Sequence, residues 1–376
     1  MFRVFISTAE VSGDVHGAAL IRHLNELHPG RFSFEAIGGP EIAATGTPIY
    51  RDLSTQSSIG IIEGLRFLFS SLGLFKDLRR HFRENKIDLV ILIDGQGRNI
   101  PIGKEAQKAG LKTIYYFPPP VSIWGKWNVK KMLSYDLLLC PFQNDAEIYN
   151  KAGGRTLWTG HPFSLLERNP DRAAYKKKIG LNLQKKTVAL FPGSRFQEIE
   201  TLTGIFMKTA RLLLEWDPDL QFVLSLSHPA YGKEVREWIR LSGVAISLVE
   251  RQPDDVMKAS DFLITASGTA TLQAAYYALP MAICYKISWS SYWIYRVLVD
   301  VKYIGLPNLA AGREVCREFI QRKCNPQNLF EYAKSHLGNE AVHRETSGML
   351  SKVREALSTP DPFARMAKGI LSVLEK

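Results

Sequence analysis

Three short stretches carry side chains whose types and spacing could do chemistry. The first is Asp94, which closes the apolar run Val90-Ile91-Leu92-Ile93 and precedes Gly95-Gln96-Gly97. A carboxylate at the carboxyl end of a buried strand is placed to take a proton from a hydroxyl. A helix-capping Asp would sit there equally well. The second is Phe191-Pro192-Gly193-Ser194-Arg195. Gly193 permits a tight turn, Ser194 can cap the helix that follows, and Arg195 sets a planar donor fork where a diphosphate would lie. The third is Ser267-Gly268-Thr269, a small-residue turn with hydroxyls at a helix start. Free N–H groups at such a start accept phosphate well. Each turn alone is a weak motif that a plain helix cap explains. Two of them in one half of the chain point to a shared anion.

Other titratable residues are less directed. Glu10 and Asp14 flank the turn Ser12-Gly13, and His16 and His161 are candidates for phosphate or base roles. A lone His is more often structural. Cys140, Cys284, Cys316 and Cys324 show no paired metal spacing, and no HExxH is present. Buried free thiols in a reducing compartment, with no metal and no cofactor, are the expectation. Neither GxGxxG nor GxxxxGK[ST] stands in the right context, which weakens nicotinamide and P-loop readings.

The elements that must position these residues alternate along the chain. Strand patterns run at Arg3 to Ser7, Phe32 to Ile37, Leu89 to Ile93, Thr113 to Phe117 and Leu137 to Cys140. Helical patterns run at Val15 to Leu27, Pro101 to Ala109, around Trp124 to Leu133, and at Asn144 to Lys151. Residues from about 162 to 185 form a polar, basic connector. A second set of strands follows at Val188 to Phe191, Gln221 to Leu226, Ala245 to Val249, Phe262 to Ile264 and Met281 to Tyr285. The expected fold class is α/β: two doubly wound, Rossmann-like parallel-sheet domains in tandem. They would span 1–165 and 166–354, with an amphipathic helix within 355–376 packing on the first. Ligands of such sheets bind at the carboxyl ends of the strands, so the site is expected in a cleft between the domains.

A chain of 376 residues exceeds one ordinary core and fits two domains. No run approaches the roughly 20 apolar residues of a membrane span. Met1-Phe2-Arg3-Val4 enters a strand pattern at once, so no signal peptide is expected. The net charge of +11 favours anionic partners: nucleotide, lipid phosphate or membrane surface. A solvated basic surface would give the same excess. No nucleic-acid module is present, so no nucleic acid is expected. Glu63 to Arg83 sets Leu65, Leu68, Phe69, Leu72, Phe75, Leu78 and Phe82 near one helical face, with Arg66, Lys76, Arg79, Arg80 and Arg83 interspersed. Trp289 to Val301 is similarly aromatic and basic. Both stretches fit core-facing helices or a bilayer interface.

Taken together, the motifs Ala9 to Gly17, Ile59 to Glu63, Thr159 to Pro162, Leu190 to Arg195, Ala266 to Leu272 and Lys302 to Glu314 occur in an order that resembles the lipid-A-disaccharide synthase family. The resemblance runs from the first strand to about residue 325. It implies GT-B architecture and transfer of 2,3-diacylglucosamine from its UDP derivative to 2,3-diacylglucosamine 1-phosphate, inverting the anomeric centre. On that resemblance Asp94 is the base, with Glu10 beside it. Ser194, Arg195, Ser267, Gly268, Thr269, Gln273, Asn308 and Arg313 are nucleotide-side residues. Ser12, Asp14 and the Leu65, Leu68, Phe69, Leu72 and Phe75 face meet the acceptor or the lipid, on the cytoplasmic face of the inner membrane. A homodimer is left open. The chain departs from the family pattern at Gly97 where a second Asp is usual, at Ser122 and Gly125 in the Pro118 to Gly125 stretch, and at Gln273 where a Glu is usual. These changes bear on acceptor choice and turnover more than on fold. They keep open a GT-B relative with another donor or acceptor, a sugar-nucleotide epimerase, and a binder that turns nothing over.

Overall fold

The computed structural model describes residues 1–8, 10–52, 61–122, 126–227, 229–286 and 302–375, with the backbone alone at 61–72 and 126. The chain divides into two compact units, Met1–Leu165 with Leu357–Lys376, and Leu166–Ala356.

In the first unit the strands are β1 (Phe2–Thr8), β2 (Phe32–Ile37), β3 (Ile49–Arg51), β4 (Leu89–Ile93), β5 (Lys112–Tyr116), β6 (Leu137–Cys140) and β7 (Thr156–Trp158). They pair in the order β3-β2-β1-β4-β5-β6-β7, and every pairing is parallel. β4 shows how the pattern becomes layers. All five of its residues are buried, because a parallel sheet is covered on both faces. Leu89, Ile91 and Ile93 point into a core shared with the helices Val11–Leu27 and Pro362–Leu374. Val90 and Leu92 point into the opposite core, with Leu78 and Phe82 of the helix Ile61–Glu84 and Ile102 of the helix Gln96–Lys108. The two-residue period of the strand thus feeds both layers.

The second unit repeats the plan with β8 (Thr187–Phe191), β9 (Gln221–Leu226), β10 (Ile246–Glu250), β11 (Phe262–Ala266), β12 (Met281–Tyr285) and β13 (Glu318–Ile320), in the order β10-β9-β8-β11-β12-β13. Its core joins Val188, Leu190, Phe262 and Ile264 to Phe206 of the helix Phe196–Trp216 and Leu329 of the helix Pro326–Leu337. In each sheet the first strand has the second on one side and the fourth on the other. The chain therefore reverses direction of winding between β1 and β4 and between β8 and β11, the point where doubly wound sheets hold ligands.

Two helices and three short strands depart from the sequence pattern. The helix expected from Pro101 begins at Gln96 and carries Pro101 inside it. Proline there removes one interior hydrogen bond, which the helix tolerates close to its start. The helix expected around Trp124 to Leu133 is a 3-10 turn at Lys126–Asn128 and a short helix at Val129–Met132, with residues 123–125 outside the described set. β3, β7 and β13 are three residues each, too short to show a period. Among the described residues no helix is long and apolar enough to cross a membrane.

Candidate active site

The turn after β4 is built to hold Asp94 in an uncommon conformation. Asp94 has φ +55° and Gly95 φ +52°, so two successive residues are left-handed. Asp tolerates this region better than most residues, and Gly adopts it freely. The Asp94 carbonyl accepts from the Tyr115 hydroxyl at 2.8 Å and from Asn99 Nδ2 at 2.9 Å. Asn99 is fully buried. Its Nδ2 also reaches the Ile93 carbonyl at 2.9 Å and the Ser7 carbonyl at 3.2 Å, while its Oδ1 accepts from Ser7 Oγ at 2.8 Å. One buried amide therefore ties the ends of β1 and β4 and fixes the backbone that aims Asp94. Burial, followed by the charge of Asp94, holds the Tyr115 phenol well above its ordinary range, so it stays a donor.

The turn after β1 brings Glu10, Ser12 and Asp14 to the same end of the sheet. Ser12 Oγ lies 3.5 Å from Asp94 Oδ2. Glu10 is the extended residue that opens the helix Val11–Leu27. The half-buried Arg98 guanidinium is held below its ordinary range by burial, and the Glu10 carboxylate opposes that shift. Asp14 is buried, and its carboxylate accepts from the backbone N–H groups of Gly39 at 2.7 Å, Glu41 at 2.8 Å and Ile42 at 3.3 Å. It caps the short helix Pro40–Ala43 and so supports this end of the sheet. Beside it, His16 stacks on Phe117 at 4.5 Å and meets His161 edge-on at 5.5 Å. Burial lowers the His16 pKa to about 4. Burial, and then the neighbouring His16, holds that of His161 well below its ordinary value. His161 Nδ1 accepts from the Phe163 N–H at 3.1 Å, so any ring proton sits on Nε2.

In the second unit the turn after β8 is held by Glu198. Gly193 has φ +120°, and a Cβ there would collide with the Glu198 side chain, so only glycine fits. Glu198 Oε2 accepts from the N–H groups of Ser194 at 3.1 Å and Arg195 at 3.4 Å, closing a capping box with Arg195. Arg195 Nη1 is 3.3 Å from Glu198 Oε1, and half of its side chain remains exposed. Burial and the Glu198 charge push the Tyr285 phenol up while Arg195 opposes, which sets the end of β12 beside this turn.

The turn after β11 is arranged differently. Ser267 Oγ donates to the Ile304 carbonyl at 3.0 Å, so the hydroxyl proton is committed within the unit. The first backbone N–H groups of the helix Thr269–Tyr276 point out of the turn, as in any helix start. Gly268 has open space around its Cα. Ile304 is itself held by Glu318, which accepts from the N–H groups of Ile304 at 3.0 Å and Gly305 at 2.9 Å and from Asn308 Nδ2 at 2.9 Å. Asn308 is fully buried. Its amide also reaches the Cys316 carbonyl at 2.7 Å and takes the N–H groups of Val315 at 2.7 Å and Cys316 at 2.9 Å. It latches the loop that carries the exposed Arg313. Gln273 Nε2 donates to Asp254 Oδ1 at 3.0 Å.

Glu10, Ser12 and Asp94 thus gather at one sheet end of the first unit. Ser194, Arg195, Ser267, Gly268 and Thr269 gather at the matching end of the second. The side chains of Leu65, Leu68, Phe69 and Leu72, together with Gly125 and residues 287–301, lie outside the described set. Phe75 is half-buried against the Leu74, Leu78 and Phe82 core. Asn99, Glu198, Asp254 and Glu318 do much of the positioning and are missed by sequence reasoning. Only Glu198, three residues after Arg195, carries a readable signal, the capping-box spacing.

Two parallel, doubly wound sheets of matching order fit the two-domain α/β architecture of the GT-B fold. Solved structures of that fold superpose along the chain. An S. aureus MnaA–UDP co-structure has a TM-score of 0.68 at 16% identity, covering 100% of this chain and 98% of that one. Acinetobacter baumannii MurG has 0.58 at 14%, covering 99% and 100%. The family model for lipid-A-disaccharide synthetase matches residues 4–362. The lipid-A-disaccharide synthase of Persephonella marina is 33% identical over 377 residues, 98% of each chain. That of Trichlorobacter lovleyi is 34% identical over 378 residues, covering 100% of this chain and 98% of the relative. The chain belongs to the lipid-A-disaccharide synthase family and is a hexosyltransferase.

Proposed function

We propose that this enzyme transfers 2,3-diacylglucosamine from its α-linked UDP derivative to the 6-hydroxyl of 2,3-diacylglucosamine 1-phosphate. The acceptor oxygen attacks the anomeric carbon from the face opposite UDP. The carbon–oxygen bond to UDP breaks, and a β-1,6 disaccharide 1-phosphate forms. Asp94 takes the hydroxyl proton. The observation that carries this reading is the turn that fixes Asp94 at the end of β4 through Asn99 and Tyr115, in a chain of this family. The second unit holds the nucleotide. Arg195, Arg313 and the N–H groups at the start of the helix Thr269–Tyr276 meet the diphosphate, the group that gains charge as the bond breaks. Asn308 and Ser267 serve that side indirectly, since their polar atoms hold the loop and the turn. Asp14 serves the acceptor side in the same indirect way.

The helix Ile61–Glu84 carries Leu65, Leu68, Phe69, Leu72 and Phe75 among arginines and a lysine. We assign it the acyl chains and the lipid surface at the cytoplasmic face of the inner membrane. Mass spectrometry of products from the two candidate lipids tests the reaction. A disaccharide 1-phosphate with stoichiometric UDP supports it, and UDP-sugar turnover without the acylated acceptor overturns it.

A further inference from the structure

Asp254 belongs to none of the turns that form the site, yet three side chains engage its carboxylate. The helix Pro253–Lys258 places Asp254 and Lys258 one turn apart, and Gln273 and Tyr277 stand one turn apart on the facing element. The two pairs interlock. Asp254 Oδ1 accepts from Gln273 Nε2 at 3.0 Å and from the Tyr277 hydroxyl. Asp254 Oδ2 lies 2.9 Å from Lys258 Nζ. Lys258 in turn meets the Tyr175 hydroxyl at 3.1 Å and Glu167 at 3.4 Å, with the Tyr175 ring 4.7 Å beneath it. Burial works against the Lys258 charge, but the bonds from Asp254 and Tyr175 outweigh it and hold the ammonium above its ordinary range. The cluster is therefore a fixed ion pair with a defined polarity.

That polarity decides which way Gln273 faces. A carboxylate paired with a lysine can only accept, so it must take the NH2 end of the amide. The Oε1 end is turned away from Asp254. We propose that Asp254 is a positioning residue that locks Gln273 as a hydrogen-bond acceptor for the ribose hydroxyls of the nucleotide. This rests on the proposed function, in which the second unit holds the nucleotide and the start of the helix that carries Gln273 meets the diphosphate. The lock accounts for glutamine at a position where the family pattern has glutamate. A glutamate at 273 would set two carboxylates about 3 Å apart, and the pair would have to share a proton. Glutamine instead presents the same acceptor oxygen, and the Asp254 charge polarises it through the amide, as in other hydrogen-bond chains. Without that lock the amide can turn over and offer a donor to hydroxyls that are then less well received.

The test is the affinity of the full chain for UDP and for 2′,3′-dideoxy-UDP, measured by calorimetry. The unaltered protein is expected to prefer UDP by about tenfold, the worth of one well-made hydroxyl contact. Asp254→Asn is isosteric and leaves the amide free to turn, so this preference should fall to about twofold while dideoxy-UDP binding holds. Gln273→Glu alone should weaken UDP binding about tenfold and make it tighten as pH falls. The exchange Asp254→Asn with Gln273→Glu should restore the preference, because the introduced amide donates where the Asp254 carboxylate accepted. A full preference retained in folded Asp254→Asn, or an exchange no better than Gln273→Glu alone, overturns the lock. If Asp254→Asn does not fold, the exchange variant against Gln273→Glu still decides. A protein that binds UDP with no preference over the dideoxy form also sinks the proposal but leaves the proposed reaction standing. One that binds neither sinks the nucleotide-side reading itself.

Discussion

The two units solve the same topological problem with opposite means. In each, the working turn follows the fourth strand, Asp94 after β4 and Ser267 after β11. The first turn is left-handed at two successive residues, and its carbonyl is gripped by Asn99 and Tyr115. Strain of this kind costs on the order of 1–3 kcal/mol and persists only where the surroundings overdetermine it. What it yields is one carboxylate aimed in one direction. The second turn has an extended Gly268 and no such strain. Its serine hydroxyl is turned inward to Ile304, and the nearby acid Glu318 is committed to the N–H groups of Ile304 and Gly305. What it presents is backbone N–H and arginine. One unit points a side chain, and the other offers a positive surface. Substitutions should therefore act sharply in the first and diffusely in the second.

The sharpest test of that contrast is Asp94→Asn. It keeps the left-handed turn and the hydrogen bonds of the Asp94 carbonyl, and it removes only the base. Turnover measured as UDP release should fall about 10³-fold, with UDP affinity unchanged. Unchanged turnover at saturating substrates would remove Asp94 from the chemistry. Next in size is Asn99→Ala. It strips the buried donor from the carbonyls of Ser7, Ile93 and Asp94. Unmet buried groups of this kind cost about 1–3 kcal/mol each, so urea unfolding should show a loss near the upper end of that range. A loss below about 0.5 kcal/mol would mean that the turn holds itself.

In the second unit Arg195→Ala should lower kcat/KM about 10²-fold, the usual cost of one charge-stabilising donor. Ser267→Ala should cost less than about fivefold, because it removes a neutral hydrogen bond to Ile304 and no direct contact with the nucleotide. Equal losses from the two would show that the hydroxyl, and not the backbone, meets the diphosphate.

The parts of this contrast that a sequence can show are the local ones. β4 and β11 are short apolar runs ended by polar residues, and both turns are visible as Asp-Gly and Ser-Gly-Thr. The Ser194–Glu198 capping arrangement is local and follows from spacing. The grip on Asp94 is not local. Ser7 and Asn99 are 92 residues apart, and Asn99 looks like an ordinary polar residue in the first turn of a helix. Glu318 stands 14 residues after Ile304 on a strand of three residues, with no period to mark its partner. Asp254 reads as a helix-start acid, and only the fold sets Gln273 against it. The long apolar elements therefore specify the layers and the general place of the site. The polar residues that orient the site emerge only with tertiary proximity.

A pH-dependent effect concerns the buried His16–His161 pair and Asp145, and it turns on opposing titrations. Burial lowers the His16 pKa from 6.5 to about 4, so between those values the unfolded chain binds a proton that the folded chain refuses. Stability from this group is complete above about pH 6.5 and is lost as pH falls toward 4. Burial raises the Asp145 pKa from 3.8 to about 6, opposed by its bond from Ser122. There the folded chain binds the proton first, so stability is gained as pH falls from about 6 to about 4. The two contributions are similar in size and opposite in sign, since each tenfold difference in proton affinity is worth about 1.4 kcal/mol. His161, held well below its ordinary value by burial and then by His16, adds to the His16 loss and sets the direction. Urea unfolding at pH 7, 5.5 and 4.5 should show a net loss of stability on acidification. Asp145→Asn removes the offset and should steepen the loss. His16→Phe, which preserves the stack on Phe117, should flatten it. Stability that rises on acidification in the unaltered protein would mean that the His16–His161 pair takes up its protons without unfolding.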